Sequence, residues 1–344
     1  MKAVFYNTPG GAEVLTYGDV ADPEPMPGDV VVAVEATALN RLDVIQRNGW
    51  FTMPGFTLPH IAGMDVAGRV VEVGSEAKGV AVGDRVVVDP SMSGVAENCR
   101  YGGMGDIYGE LGIIGATLDG GYGELCLAPA SHVYRVPDDM SIEHAVTFPT
   151  CWMTAAHALF DVGELQTGET LLVHAAGSGV STAAIQLANV AGAKVLATAG
   201  TDEKCEKASE IGAHHTLNNR TGDLTAWVME VTEGKGANLV FDHVGPALWE
   251  ASVFSLAVRG RLVNCGGTTG DTVSIPSLGH FYHLGLQIKG SDPYRPEEFG
   301  PVWQHFCESD FQVVVDSEFP LAEAAVAQEK MLASVFFGKI LLKP

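Results

Sequence analysis

Residues 170–200, TLLVHAAGSGVSTAAIQLANVAGAKVLATAG, decide the fold of this 344-residue chain. Leu171 to His174 form a short apolar run, which Gly177 and Gly179 interrupt. Ala183, Ala184, Leu187 and Ala188 follow at helical spacing until Gly192, and Lys194 to Thr198 is a second apolar run. The stretch therefore reads as buried strand, glycine turn, amphipathic helix and second strand, the front half of a nucleotide-binding βαβ unit. In the turn, Gly177, Ser178, Gly179 and Val180 would let backbone N–H groups approach a pyrophosphate, with the positive end of the helix dipole turned towards it. Within the frame Ala176 to Ser181, alanine and serine occupy the outer positions of GxGxxG, so the turn taken alone also suits another α/β protein.

Composition agrees with a large α/β protein. At 47% hydrophobic, the chain exceeds what one core usually serves, and two domains are expected. Residues 171–200 lack Asp, Glu and Arg, yet their glycines, His174 and Lys194 favour a buried βαβ unit over a membrane span, and no signal peptide is expected before them. Six cysteines without a CxxC pair suggest a reduced, cytoplasmic protein. The net charge of −22, from 42 acidic against 20 basic residues, argues against nucleic acid and anionic membranes as partners. Such acid excess also resembles salt-adapted surfaces, a hypothesis that fails if neither folding nor activity improves between low and molar salt.

Before about residue 141 the pattern is β-rich. Val30 to Val34, Arg69 to Val73 and Arg85 to Val88 are β-branched runs set off by Pro27-Gly28, Gly74 and Gly83-Asp84. No comparably strong helical period appears there. Ser141 can cap a helix that Pro149 would kink, running to about Phe160. Strand and helix then alternate: a helix from about Asp202 to Ile211, and buried strands at Ala237 to Phe241, Arg261 to Asn264 and Leu286 to Lys289. Glycine-ended loops after these strands, Asp242 to Gly245 and Cys265 to Gly267, should line a cofactor site, because ligands sit outside the carboxyl ends of such strands.

At this point the residues match a family. GAEVLTYGDVADPEPMPGDVVVAVEATALNRLD (11–43), LPHIAGMDVAGRVVEVG (58–74), GVAVGDRV (79–86), GGYGEL (120–125), the glycine turn, IGAHHTLNN (211–219), FDHVG (241–245) and GKILLKP (338–344) occur in the order seen in the medium-chain dehydrogenase/reductase superfamily. The resemblance covers essentially the whole chain. It implies an α/β architecture: a GroES-like, β-rich catalytic domain from residues 1–151 and 291–344, plus a Rossmann domain with a doubly wound parallel sheet at 152–290. Homodimers or homotetramers are implied by the same resemblance.

Zinc members of that superfamily carry Cys in Cys-x-(Ser/Thr)-Asp, a His-Glu pair after glycine, and a later Cys or Glu four residues before a threonine. This chain places Asn40-Arg41-Leu42-Asp43, Gly63-Met64-Asp65 and Thr150 ahead of Thr154 at those motifs. An amide, a thioether and a hydroxyl are poor zinc ligands, and no catalytic zinc is expected. The structural-zinc loop keeps Cys99 alone, with Ser93, Ala96 and Ile107 at the other ligand positions, and one thiol cannot hold a tetrahedral ion. What remains resembles the zinc-independent quinone oxidoreductase branch, in which an Asn stands at the position of Asn40, close to the nicotinamide.

By the same resemblance, Thr154, Val244, Cys265, Gly266 and Gly267 would hold the nicotinamide. The second strand ends at Ala199, Gly200 and Thr201, without the carboxylate that selects NAD, and NADPH is favoured over NADH. Lys204 could neutralise a 2′-phosphate and Asn219 lies near the adenosine position, whereas Asp202 and Glu203 weigh against a phosphate there. The expected reaction is hydride transfer to a quinone or an α,β-unsaturated carbonyl, with Asn40 donating a hydrogen bond to the substrate oxygen. Asp43 either takes part or braces its loop. His280 and His283, taken as loop residues with Tyr282, are alternative proton donors. Trp50, Phe51, Phe56 and Trp152 are either pocket or core. Two other readings stand: an alcohol dehydrogenase or carbonyl reductase of the same superfamily, and a non-catalytic, crystallin-like NADPH-binding protein. The expected partner is a small-molecule substrate.

Overall fold

The computed structural model describes residues 1–103 and 112–344. The chain forms two compact units, Met1–Thr150 with Arg295–Pro344, and Cys151–Tyr294.

The first unit is built mainly on antiparallel strand pairs. β1 (Lys2–Tyr6) pairs with β2 (Thr16–Asp19) and β4 (His60–Ile61) in a small sheet. The larger sheet centres on β3 (Asp29–Ala38), which pairs with β5 (Asp65–Val73) and, through residues 29–33, with β7 (Leu125–Pro129). β6 (Arg85–Val88) and β8 (Val133–Arg135) extend one side, and β16 (Lys339–Lys343) and β15 (Val315–Pro320) the other. The β-branched runs thus form strands as expected, each longer than or equal to its sequence signal. Val30, Val32, Val66, Val70, Val86 and Val88 meet in one apolar cluster, as alternate residues of a sheet face must.

Three short helices decorate this unit's first 150 residues and its junction. α1 (Arg41–Arg47) is a helix the apolar period did not signal, because seven residues complete barely two turns. Its start is held by Asp43, whose Oδ2 accepts the Asn40 backbone N–H at 2.8 Å. Ser141 does cap a helix, α2 (Ile142–Ala145), but Pro149 opens a separate one, α3 (Pro149–Ala156), instead of kinking a continuous helix. Proline fits the first helical turn, where its missing N–H has no intrahelical partner to lose.

The second unit is the alternating one. β9 (Thr170–Val173), β10 (Lys194–Ala199), β11 (His215–Asn218), β12 (Ala237–Asp242), β13 (Leu256–Asn264) and β14 (Gln287–Gly290) form one parallel sheet. The order is β11-β10-β9-β12-β13-β14. Taken in chain order this is 3-2-1-4-5-6, the doubly wound dinucleotide-binding arrangement, whose strand order reverses between β9 and β12. The helices α4 (Gly179–Val190), α5 (Asp202–Glu210), α6 (Leu224–Val231), α7 (Pro246–Phe254) and α8 (Leu278–Leu284) intervene. The last of these replaces the loop expected around His280 and His283. Leu172, Leu196, Val240 and Leu262, one from each of four strands, share a core with Val228, Trp249 and Val253 from helices. In the chain's last part, α9 (Pro296–Glu308) and α10 (Ala324–Leu332) belong to the first unit. No described helix is long and apolar enough to cross a membrane.

Candidate active site and cofactor site

In the first unit, strand register assembles a buried polar cluster. Ala38 of β3 lies opposite Asp65 of β5 and opposite Leu341 of β16. Antiparallel pairing runs in opposite directions, so the chain two residues beyond Ala38 comes level with Lys339. The turn before Asp65 needs glycine: Gly63 has φ +104°, and a Cβ there would lie 2.9 Å from the backbone N of Tyr122.

The contacts follow from that register. Lys339 Nζ donates to Leu39 O at 2.8 Å, Asn40 Oδ1 at 2.9 Å and Asp65 Oδ2 at 2.8 Å. Asn40 Nδ2 donates to Asp65 Oδ2 at 3.0 Å, with longer contacts of 3.4 Å to Thr150 Oγ1 and to Ala38 O. Thr150 gives Asp65 Oδ1 both its backbone N–H, at 2.8 Å, and its hydroxyl, at 2.6 Å. The carboxylate of Asp65 is thus enclosed by an ammonium, an amide, a hydroxyl and the first turn of α3, which suits a buried negative charge. Lys339 and Asp65 are 5% and 0% exposed, and the pair is shielded from solvent.

Asp43 sits one helical turn from Asn40. Its Oδ2 accepts the Asn40 backbone N–H at 2.8 Å and the Tyr122 hydroxyl at 3.1 Å. Burial outweighs those two bonds and pushes its carboxyl up to about 7, with the Asp65 charge adding to the rise. Met64 packs instead with Ile113 and Ala116 in an apolar cluster. The positions at which the resemblance would place zinc ligands therefore carry an amide, a thioether in an apolar setting and a hydroxyl, with the neighbouring carboxylate already bound to an ammonium. These groups do not fit a zinc ion. Among the described residues no three His, Cys, Asp or Glu side chains are placed to hold a metal. Cys99 lies in the core with Met92 and Val95, its thiol pushed up to about 11 by burial; Ile107 lies outside the described residues. Trp50 and Phe51 are 67% and 54% exposed and are not core.

In the second unit the sequence-selected residues gather at the carboxyl ends of the strands. Ser178 stands at the N-cap of α4, with Gly179 and Val180 opening the helix; its side chain makes no capping bond, so the free backbone donors of the first turn remain for a ligand. Beneath the turn, His174 is buried between Thr198 Oγ1, 3.0 Å from Nδ1, and Ser252 Oγ, 2.8 Å from Nε2. Ser181 donates to the His174 carbonyl at 2.7 Å and meets His243 Nε2 at 2.8 Å, tying α4 to the loop after β12. In that loop Asp242 Oδ1 accepts from the N–H groups of Val244, at 2.8 Å, and Gly245, at 3.2 Å. Asn264 Nδ2 links Asp242 Oδ2 at 3.1 Å to Gly266 O at 2.8 Å, joining the Val244 and Cys265–Gly267 loops. Burial pushes the Cys265 thiol up to about 12, which leaves it a neutral wall residue. Thr154 lies on α3 within this unit, while Asn40 and Asp43 belong to the first.

At the end of β10, Thr201 caps α5 by accepting the Lys204 N–H at 3.3 Å, and Asn219 N–H bonds Ala199 O at 2.9 Å. Of the two acids beside Lys204, Asp202 accepts from Asn218 Nδ2 at 2.8 Å and Glu203 from Lys207 Nζ at 2.7 Å, and the Lys204 charge also acts on Glu203. Sequence reasoning missed Arg220. Its guanidinium covers Gly200, where an added Cβ would stand 3.2 Å from Nε. The available signal was a cation directly after Asn218-Asn219, in the turn that follows β11. His280 packs edge-on against Phe254 at 5.0 Å, and His283 lies against Tyr282 at 4.6 Å.

Comparison with known proteins agrees with this architecture. Residues 26–138 match the alcohol dehydrogenase GroES-like domain family and residues 179–308 the zinc-binding dehydrogenase family. The quinone oxidoreductase of Pseudomonas aeruginosa is 30% identical, over 100% of this chain and 99% of its own. A crystal structure of an NAD-dependent alcohol dehydrogenase superposes with TM-score 0.91 at 35% identity, covering 100% of both chains. Escherichia coli quinone oxidoreductase complexed with NADPH superposes with TM-score 0.85 at 27% identity, again covering 100% of both. By fold, motif order and full-length similarity, the chain belongs to the quinone oxidoreductase-like branch of the medium-chain dehydrogenase/reductase superfamily and is an NAD(P)H-dependent oxidoreductase.

Proposed function

We propose that the protein is an NADPH-dependent reductase of quinones or activated alkenes that works without catalytic zinc. The observation that carries this reading is the cluster in which Asn40 and Thr150 take the ligand positions and Asp65 is held by Lys339. An alcohol dehydrogenase needs a strong electrophile at its substrate oxygen, whereas an amide donor suffices where charge is delocalised over a quinone or an enone.

Bound NADPH supplies a hydride from C4 of its nicotinamide. The chain itself contributes binding, orientation and charge stabilisation. Ser178, Gly179 and Val180 offer backbone donors to the pyrophosphate, with Gly177 leaving room in the turn. Gly200, Thr201, Lys204, Asn219 and Arg220 form the adenosine end, where a guanidinium and an ammonium suit a 2′-phosphate. Thr154, Val244, Cys265, Gly266 and Gly267 border the nicotinamide, and Asn40 gives an N–H to the substrate oxygen. Asp43 orients Asn40 through its backbone. The acceptor receives its proton from solvent, since a hydroquinone or enolate oxygen is readily protonated in water.

The deciding experiment mixes metal-analysed protein with NADPH or NADH and follows loss of reduced cofactor against a quinone, an enone and an aldehyde. NADPH-dependent loss with quinone or enone, at substoichiometric zinc, supports the proposal. Aldehyde reduction that tracks stoichiometric zinc replaces it with the alcohol dehydrogenase reading, and cofactor binding without turnover on any acceptor replaces it with a non-catalytic role.

A further inference from the structure

The orientation of the Asn40 amide is dictated by two charges. Lys339 has three donors and no acceptor, so the atom facing it must be Oδ1; ionised Asp65 has no donor, so the atom facing it must be Nδ2. A reversed amide would set N–H against ammonium and C=O against carboxylate. An asparagine without such neighbours chooses between two nearly isosteric orientations. Here the choice is enforced from β16, with Lys339 299 residues along the chain from Asn40.

We propose that Lys339 is a positioning residue for Asn40, locking the amide so that its nitrogen, never its oxygen, faces the substrate. This rests on the reductase reading above, in which Asn40 donates to the substrate oxygen. One Nδ2 hydrogen serves Asp65 at 3.0 Å, and the other, with 3.4 Å contacts to Thr150 Oγ1 and Ala38 O, is the one a substrate oxygen takes. A flipped amide would present a carbonyl oxygen to developing negative charge and oppose the reaction. Asp65 assists by anchoring the ammonium and fixing the nitrogen side.

The test is a double-mutant cycle. Lys339→Met, Lys339→Arg and the charge-neutral pair Asp65→Asn with Lys339→Met are made in the parent and in an Asn40→Ala background. Lys339→Met should lower kcat about 10-fold or more with quinone or enone, while the NADPH Kd stays within about twofold. Lys339→Arg should recover most of the rate, because it restores the donor. In the Asn40→Ala background the same Lys339→Met change should alter kcat by less than about twofold, since the group it orients is gone. Losses that simply multiply, or parallel losses in kcat and NADPH binding, would overturn the proposal. Should Lys339→Met alone fail to fold, the neutral pair, which removes both orienting charges without stranding a buried carboxylate, should likewise lower kcat in the parent and leave it within about twofold in the Asn40→Ala background. A second readout is independent of turnover: the Asn40 side-chain amide resonances, identified by their disappearance in Asn40→Ala, should shift and exchange faster in the Lys339 variants. Unchanged amide resonances would overturn the positioning role even if the parent reduces neither acceptor, the outcome that would instead sink the reductase reading.

Discussion

The guanidinium of Arg220 lies across Gly200, so close that a Cβ at Gly200 would stand 3.2 Å from Nε and 3.5 Å from Cζ. Glycine at 200, next to Ala199 where a ribose-binding carboxylate is expected in NAD enzymes, leaves the space that the guanidinium, carried on the turn after β11, occupies beside the end of β10. Replacing Arg220 by Ala should weaken NADPH about 10- to 100-fold, the cost of one strong charge-assisted contact, and change NADH binding by less than about twofold. Fluorescence titration of both cofactors checks this. Equal losses for the two would show that Arg220 does not touch the phosphate.

Asn40→Ala should reduce turnover by about 100-fold, the usual consequence of removing one donor to a developing oxyanion. NADPH affinity should be preserved. Steady-state rates with a quinone, together with a separate measurement of cofactor Kd, separate the two effects. A matching fall in affinity would place Asn40 in the architecture of its loop, where Asp43 holds its backbone N–H at 2.8 Å.

Local periodicity made most of this fold legible. The β9-turn-α4-β10 segment announces itself because each piece is short, apolar and punctuated by glycine, and parallel strands buried on both faces read as continuous hydrophobic runs. The buried cluster was half legible. Asn40, Asp65 and Thr150 stand out as departures from a metal-binding pattern, but Lys339 appeared only as part of GKILLKP. Nothing local links it to Asn40; the link is the pairing of β16 with β3, a long-range register that short windows do not contain. Arg220 escaped for a related reason, since its reach over Gly200 depends on how the chain turns after β11. Helix α1 was missed because its seven residues are too few for an apolar period to register. The expected helix ended at about Phe160, inside the stretch His157–Val162, whose π-helical geometry the residue pattern does not signal.

Asp43 should make the protein lose stability as pH rises. Its folded-state carboxyl titrates at about 7, whereas an unfolded carboxyl titrates near the ordinary aspartate value. Between those limits the folded form holds the proton more tightly. The contribution is fully present below the unfolded value and is lost as pH rises through about 7. Asp43→Asn keeps an oxygen to accept the Asn40 N–H and removes the titration. The stability of the parent minus that of the variant, from urea unfolding, should fall as pH rises from 5 to about 7 and level off above it, with other groups cancelling in the difference. A flat difference would mean that the carboxyl has no raised pKa.

His174 should act with the opposite sign. Ser252 spends its one hydroxyl proton on Leu248 O at 2.7 Å, so the 2.8 Å contact with Nε2 requires that ring nitrogen to donate. Nδ1 must then be the acceptor of the Thr198 hydroxyl at 3.0 Å. The neutral imidazole satisfies both neighbours, and burial lowers its pKa to about 4 despite the nearby Asp242. A proton added at Nδ1 would bury a charge and displace the Thr198 donor. Because the unfolded ring binds protons near its ordinary value and the folded one does not, this stability is present above about 6.5 and lost as pH falls towards about 4. The first thing to loosen should be the glycine turn, which Ser181 ties to the His174 carbonyl. NADPH affinity of the parent should therefore weaken between pH 6.5 and 4.5 in step with unfolding midpoints, and a His174→Gln variant should show a smaller acid decline in both. If the variant and the parent lose stability alike across that range, protonation of His174 is not what acid does to this unit.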